Sequence, residues 1–281
     1  MAERDVVWWL AALACACAVT LLVTGCATTT AASGGVVGGP IKVATPAGAV
    51  DALLYRPDGE GRWPAVLVWT DGSGLRPAYD GIGRKLAAEG YVVLIPNAYH
   101  RSVKLDGTAQ VPALAPAETR QRGAGWRTAL TEQALAADTR AYMAFLDAQH
   151  ATEAGRKAGT LGFDYGSINA FYAARAMPER IAAVAVLYPT GTATPRPTSP
   201  HLSVGESRAA YHVALATNDD RREPGDKDDY RKAFADAGLD ATVEVVPADH
   251  GFAVPGGNAF DQAASDAAWT RVLALFEDRL E

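Results

Sequence analysis

Short apolar runs recur along the chain with polar stretches between them. Ala65 to Trp69 (AVLVW), Tyr91 to Ile95 (YVVLI), Ile181 to Leu187 (IAAVAVL) and Ala210 to Ala216 (AYHVALA) hold few polar positions. Runs of this length without alternation fit strands covered on both faces. Lys157 to Gly162 and Thr242 to Val246 read as further strands. Ile41 to Thr45 and Val50 to Tyr55 read as a hairpin around Pro46-Ala47-Gly48. Helical spacing separates these runs. Tyr79 to Glu89 sets Ile82, Leu86 and Ala87 on one face and stops at Gly90. Thr128 to Gln149 reads as the longest helix. Ile168 to Ala176 ends near Pro178, Asp228 to Ala237 ends at Gly238, and a last helix covers Ala259 to Leu280. Asn97 to about Trp126 and Pro189 to Pro200 read as irregular loops. A connection as long as the first is usually functional. Strands alternating with helices predict an α/β domain: a mostly parallel central sheet, right-handed crossovers and helices on both faces.

Ligands of such sheets bind beyond the carboxyl ends of the strands. Asp71, Tyr99, Asp164, Asp219 and His250 all fall at that edge. Asp164 is the centre of Gly162-Phe163-Asp164-Tyr165-Gly166, a strand, a Gly-flanked turn and then an Ala-rich helix. The G-x-S-x-G elbow of α/β-hydrolases holds its nucleophile on such a turn. The flanking glycines allow strand and helix to approach without collision. An acid and a histidine follow the elbow in the chain order of an α/β-hydrolase triad. His250, with Gly251 letting the backbone turn, can act as general base. Asp219 would accept its imidazole N–H, and Asp220 competes for that role.

Composition narrows the function classes. The chain has 281 residues and a formal net charge of −6, with no Lys/Arg cluster, which argues against a nucleic-acid partner. Its three cysteines, Cys15, Cys17 and Cys26, all precede the body. The body thus has no disulfide, thiolate metal site or cysteine nucleophile. The five histidines, His100, His150, His201, His212 and His250, show no ligand spacing, so neither metal nor cofactor is expected. Val6 to Val23 is an apolar run ending in Val23-Thr24-Gly25-Cys26, similar to a bacterial lipoprotein signal with Cys26 as the lipidated residue. Its n-region, with Glu3 and Asp5 against Arg4, departs from the basic pattern. An uncleaved anchor is the alternative, since about 18 apolar residues can span a bilayer. Both place the body outside the cytoplasm, in the cell envelope or secreted. The expected organisation is a signal or membrane segment over 1–26, a flexible tether over 27–40 and one domain over 41–281. Gly35 to Gly39 belongs to that tether and is no phosphate loop, because no strand and helix flank it.

Taken together, the body resembles the dienelactone hydrolase family. The likeness is carried by Thr70 to Pro77 (TDGSGLRP), Gly90 to Arg101 (GYVVLIPNAYHR), the Gly162 to Gly166 elbow, Ser199-Pro200-His201-Leu202, Ala216-Thr217-Asn218-Asp219 and His250-Gly251-Phe252. It implies an α/β-hydrolase fold, His250 as triad base and Asp219 as its acid. It also implies that Asp71 stands where a glutamate contacts the nucleophile, and that Arg101 helps bind a substrate carboxylate. Arg101 reads equally as a loop-fixing ion pair, and Asp71 as a turn residue. Tyr99 would join them at the substrate. Backbone N–H groups of Gly72 and Tyr165 would form an oxyanion hole if acyl chemistry occurs.

The family carries Cys where this chain has Asp164, and Ser167 stands where a second glycine is usual. Three readings of Asp164 follow. It can be a carboxylate nucleophile, as the G-x-D-x-G elbow of haloalkane and fluoroacetate dehalogenases and epoxide hydrolases suggests by resemblance. The expected substrate is a small, carboxylate-bearing ester, lactone or alkyl halide or epoxide, and in this reading an ordinary carboxylic ester is a poor one, since attack at its carbonyl would give a labile mixed anhydride. It can mark an inactive descendant that binds a small molecule, with Asp71 crowding it and raising one carboxyl pKa. Or Ser73 or Ser167 acts with His250.

Overall fold

The computed structural model describes residues 35–105 and 116–280. The side chains of 116–120 lie outside the description. So do Cys26, the lipoprotein-like segment and most of the expected tether.

An eight-stranded sheet forms the centre. In chain order its strands are β1 (Val36–Thr45), β2 (Gly48–Pro57), β3 (Ala65–Trp69), β4 (Val92–Pro96), β5 (Ala158–Phe163), β6 (Ile181–Leu187), β7 (Ala210–Ala216) and β8 (Ala241–Val246). The spatial order is β1-β2-β4-β3-β5-β6-β7-β8, with β1 and β2 joined antiparallel and β4 through β8 parallel. The helices are α1 (Ala78–Ala88), α2 (Pro116–Thr128), α3 (Glu132–Asp147), α4 (Gly166–Ala176), α5 (Thr217–Arg222), α6 (Asp226–Ala237) and α7 (Gln262–Leu280).

The apolar runs are explained by two cores. Val66 and Val68 on β3, Val93 and Ile95 on β4, and Ala183, Ala185 and Leu187 on β6 pack toward α1 and α7, with Leu86, Trp269 and Phe276. Their neighbours Leu67, Trp69, Val92, Leu94, Val184 and Val186 pack the other way, toward Tyr142 of α3, Phe171 of α4 and Phe234 of α6. A strand's side chains alternate between faces, so only a strand with helices on both sides is apolar at every position.

Three boundaries differ from expectation. The first strand begins at Val36, so Val36 to Pro40 of the expected tether belongs to the domain. Gly38 pairs with Tyr55 at φ 142°, and a Cβ there would fall 2.0 Å from Leu54 O. Glycine is thus required by a close strand pairing that composition alone reads as a tether. The stretch before Trp126 is not all loop, since it contains α2. Among the described residues the longest helix is α7, and α3 starts only at Glu132, after Thr131 caps it by accepting from the Ala134 N–H at 3.2 Å. Among the described residues no helix is long and apolar enough to cross a membrane.

Candidate active site

β5 ends at Phe163 and α4 begins at Gly166, so the chain reverses within two residues. Asp164 makes that turn at φ 49°, a conformation that L residues other than Asn and Asp seldom adopt. Its backbone is fixed by three hydrogen bonds. Its N–H donates to Leu187 O, and its carbonyl accepts from the N–H groups of Ser167 and Thr190. The glycines on either side follow from the same crossing. A Cβ at Gly162 would lie 2.7 Å from Gly166 O, and one at Gly166 would lie 2.4 Å from Thr70 O.

The turn leaves the Asp164 carboxylate between two partners. Oδ2 accepts the Gly72 N–H at 3.0 Å, from the loop after β3. Oδ1 lies 3.4 Å from His250 Nε2. His250 follows β8, and its Nδ1 lies 2.7 Å from Asp219 Oδ2, in α5 just beyond β7. Asp219 is thus the carboxylate at the imidazole, whereas Asp220 pairs with Lys227 at 2.7 Å. Arg222 holds the other oxygen of Asp219 at 2.7 Å. Asn218 accepts the His250 backbone N–H at 2.9 Å and fixes the loop. The Tyr188 ring stands edge-on to the imidazole, centroids 5.0 Å apart. Asn218 and Tyr188 were not singled out from sequence, since neither residue type carries a signal of its role.

Charge follows this geometry. Burial would raise the Asp164 carboxyl, but bonds from His250 and Thr190, the imidazole's charge and the Gly72 N–H hold it below the usual carboxylate range. Burial would lower His250, yet hydrogen bonds and charge from Asp164 and Asp219 raise it to about 9. The resting pair at neutral pH is therefore carboxylate and imidazolium.

The other expected positions are more varied. Asp71 does not crowd Asp164. Its two oxygens take both Nη atoms of Arg76 at 2.6 Å, and Asp164 is lowered rather than raised. The Asp71 backbone N–H donates to Tyr79 Oη at 2.6 Å. Arg101 forks onto Asp138 of α3, its Nη2 reaching Oδ1 at 2.9 Å, and His100 Nε2 joins the same carboxylate at 3.0 Å. Its fork is therefore engaged inside the protein. Tyr99 donates from Oη to Gly72 O at 3.3 Å. Tyr165 is the N-cap residue of α4, and the Arg127 guanidinium carbon lies 3.9 Å from its ring centroid. Arg127 falls between the stretch read as irregular, to about Trp126, and the helix read from Thr128, so its place at the site had no sequence signal. Ser167 is fully buried. Among the described residues no cluster of His, Cys, Asp or Glu is arranged to hold a metal.

A buried acid, a histidine and a carboxylate at a strand-to-helix elbow, on this sheet order, define an α/β-hydrolase site. The sequence matches the dienelactone hydrolase family over residues 50–280, and the chain belongs to that family. It is thus a member of a family of hydrolases that act on small molecules. The fold is similar to a solved structure from Klebsiella pneumoniae described as a dienelactone hydrolase (TM-score 0.73, 20% identity, 86% of this chain and 99% of that one). It is also similar to a dienelactone hydrolase-like promiscuous phosphotriesterase from metagenomic libraries (0.70, 19%, 88% and 100%). A dienelactone hydrolase from Anabaena variabilis aligns with a TM-score of 0.61 at 17% identity, over 88% and 99% of the two chains. Comparison with curated protein sequences finds no match.

Proposed function

We propose that the protein hydrolyses a small alkyl halide or epoxide through a covalent ester on Asp164. The observation that carries this reading is the division of labour between the two carboxylate oxygens. Oδ2 is held by the Gly72 N–H and Oδ1 stands at His250. In the first step Oδ1 donates a lone pair to the substrate carbon, a C–O bond forms, and the carbon–leaving-group bond breaks with its electron pair, which departs as halide or stays on an opened epoxide as an alkoxide that takes the proton of the His250 imidazolium. Oδ2 then becomes the carbonyl oxygen of an ester already placed on an N–H donor. In the second step His250 Nε2 takes a proton from water, and the hydroxide attacks Cγ. Negative charge collects on Oδ2 against Gly72. The Cγ–Oδ1 bond breaks, the departing alkoxide takes the proton from His250, and the carboxylic acid left on Asp164 passes its remaining proton to the imidazole, which restores the carboxylate–imidazolium pair.

Asp219 serves both steps by holding the imidazole with Nε2 toward the nucleophile. The same pair explains how the histidine becomes a base. Esterification removes the charge of Asp164, one of the causes that raise His250 to about 9. The imidazole then holds its proton less firmly, with Asp219 alone left to support it. An ordinary ester fits this site poorly, because acyl transfer to Asp164 gives an anhydride and occupies the N–H that an acyl oxyanion needs.

The test is a single turnover in ¹⁸O water with haloacids, epoxides and lactones. Label in Asp164, with unlabelled product alcohol, is the expected result. Turnover with no label in Asp164 would overturn it.

We further propose that Cys26 carries a lipid anchor that holds the domain in the cell envelope, on the strength of the apolar run ending in Val23-Thr24-Gly25-Cys26. Palmitate labelling should disappear in Cys26→Ala. Labelling that persists would sink this assignment.

A further inference from the structure

We propose that Arg127 is the cation that receives the substrate, and that the substrate is a short halocarboxylate. The inference rests on the carboxylate-nucleophile reading above and assigns the anion-binding role to a residue of α2.

Three residues of α2 lie on the site loops. A Cβ at Gly123 would come within 3.8 Å of Gly72 O. The Trp126 ring packs tilted against Tyr99, centroids 5.3 Å apart, and Arg127 lies over Tyr165. Tyr165 links the guanidinium to the nucleophile. A Cβ at Gly72 would lie 3.0 Å from both Asp164 Oδ2 and the Tyr165 ring edge. Arg127 is therefore one aromatic ring away from the reacting carboxylate. The Tyr99 hydroxyl hydrogen-bonds with Arg127 and feels the charge of Asp164, which puts it between the two.

The nearby cations are already paired: Arg76 with Asp71, Arg101 with Asp138, and Arg222 with Asp219. No carboxylate among the described residues pairs with Arg127. With its carbon over the Tyr165 ring and the Tyr99 hydroxyl on part of its fork, the guanidinium keeps its other N–H groups for a planar anion. Beside it is a cavity of about 60 Å³, walled by Thr70, Tyr99, Arg127, Leu130, Tyr165 and Asn169. Tyr165, the residue that follows Asp164, forms its wall on the side of the elbow. Thr70 is 2% exposed and its Oγ1 has no hydrogen-bond partner, so a donor or acceptor in the cavity wall awaits one. Water occupies ~30 Å³ per molecule in the liquid, so this space suits a carboxylate head and little more.

Electrostatics supplies the reason for such a cation. Arg222 and the imidazolium offset the charges of Asp219 and Asp164, yet Asp164 is the charge that an anionic substrate must approach, and it repels the anion. Arg127 offsets that repulsion while its ring-stacked position keeps it from pairing with Asp164 itself. The carboxylate end would rest on Arg127 and Thr70, and the halogen-bearing carbon would face Asp164 Oδ1. The balance is that of the proposed reaction: a carbon–halogen bond is exchanged for carbon–oxygen, halide leaves with the bonding pair, and water supplies the oxygen that restores Asp164.

Chloroacetate, 3-chloropropionate and the neutral chloroacetamide test this in the full-length protein. Arg127→Gln should raise KM for both acids at least 10-fold and change kcat/KM for the amide less than 3-fold. Arg127→Lys should recover part of the loss. Arg101→Gln should lower thermal stability without favouring the amide. An equal loss on acids and amide, or an acid-specific loss from Arg101→Gln alone, overturns the proposal. Chloroacetate binding to Asp164→Asn, measured by calorimetry, separates the two readings. Binding that disappears in Asp164→Asn/Arg127→Gln keeps the anion site even if no ester forms. Asp164 labelled by chloroacetamide with no anion preference keeps the nucleophile and removes the anion site.

Discussion

Asp164 unites two demands that usually conflict. A carboxylate is ionised only where polar groups support it, and a nucleophile must stay accessible. The Gly72 N–H supports one oxygen, and the imidazolium stands at the other without a short hydrogen bond. Asp164→Asn should therefore remove turnover by a factor of about 10³ or more while leaving the fold intact, checked by halide release and thermal melting. His250→Gln should trap the ester, because alkylation needs no base and hydrolysis does. Mass spectrometry of the intact protein should then show the substrate's alkyl mass on Asp164. The histidine also predicts a pH effect on stability. Its folded value of about 9 lies above the ordinary imidazole value, so its contribution is complete below ~6.5 and is lost as pH rises through 9. With the ring part-exposed and screened, the loss is on the order of 1–2 kcal/mol. Thermal melts from pH 6.5 to 10 should show a drop in the native protein that His250→Gln lacks. The chemical types at these positions were legible in sequence, because elbow, acid and histidine follow in order. Their partners were not. Asn218, Gly72 as donor to Asp164, and the Arg76 fork on Asp71 depend on loop conformations that no spacing encodes.

At the level of elements, the elbow is a crossing point where backbone meets backbone. Gly162→Ala and Gly166→Ala each push a methyl group into main-chain atoms that cannot swing aside. Either should cost about 3 kcal/mol or more, or yield no soluble protein, as urea titration would reveal. The segment after β4 is anchored differently. Arg101 and His100 share Asp138, which is 2% exposed on α3. Arg101→Gln leaves that carboxylate short of its cation and should cost about 2–4 kcal/mol. The parallel strands were visible as apolar runs, since both faces of β3, β4 and β6 are covered. α2 was hidden for the opposite reason. Its sequence, PAETRQRGAGWRT, has two glycines and no apolar stripe, so nothing in its periodicity separates it from a loop. It meets the body through residues of the site, which no local pattern reports.

For the whole molecule, the fold class followed from the alternation of runs, while the domain's edge did not. β1 closes the antiparallel side of the sheet, and Val36 to Pro40 pairs with Leu53 to Pro57. A protein beginning at Gly35 should melt like the full chain. One beginning at Ile41 uncovers half of β2, and its melting temperature should fall by several degrees with concentration-dependent aggregation, read by calorimetry and light scattering. The contact of His250 with Asp164 has a consequence that reaches beyond the site. The free protein keeps a proton on the imidazole at pH 8 because the neighbouring carboxylate is charged. Once that carboxylate is esterified, the proton keeps only the support of Asp219. With a halide substrate, acid should then appear in the medium with the leaving group before any alcohol is formed. A pH-indicator dye in a rapid-mixing experiment would time the two half-reactions with no label on the substrate.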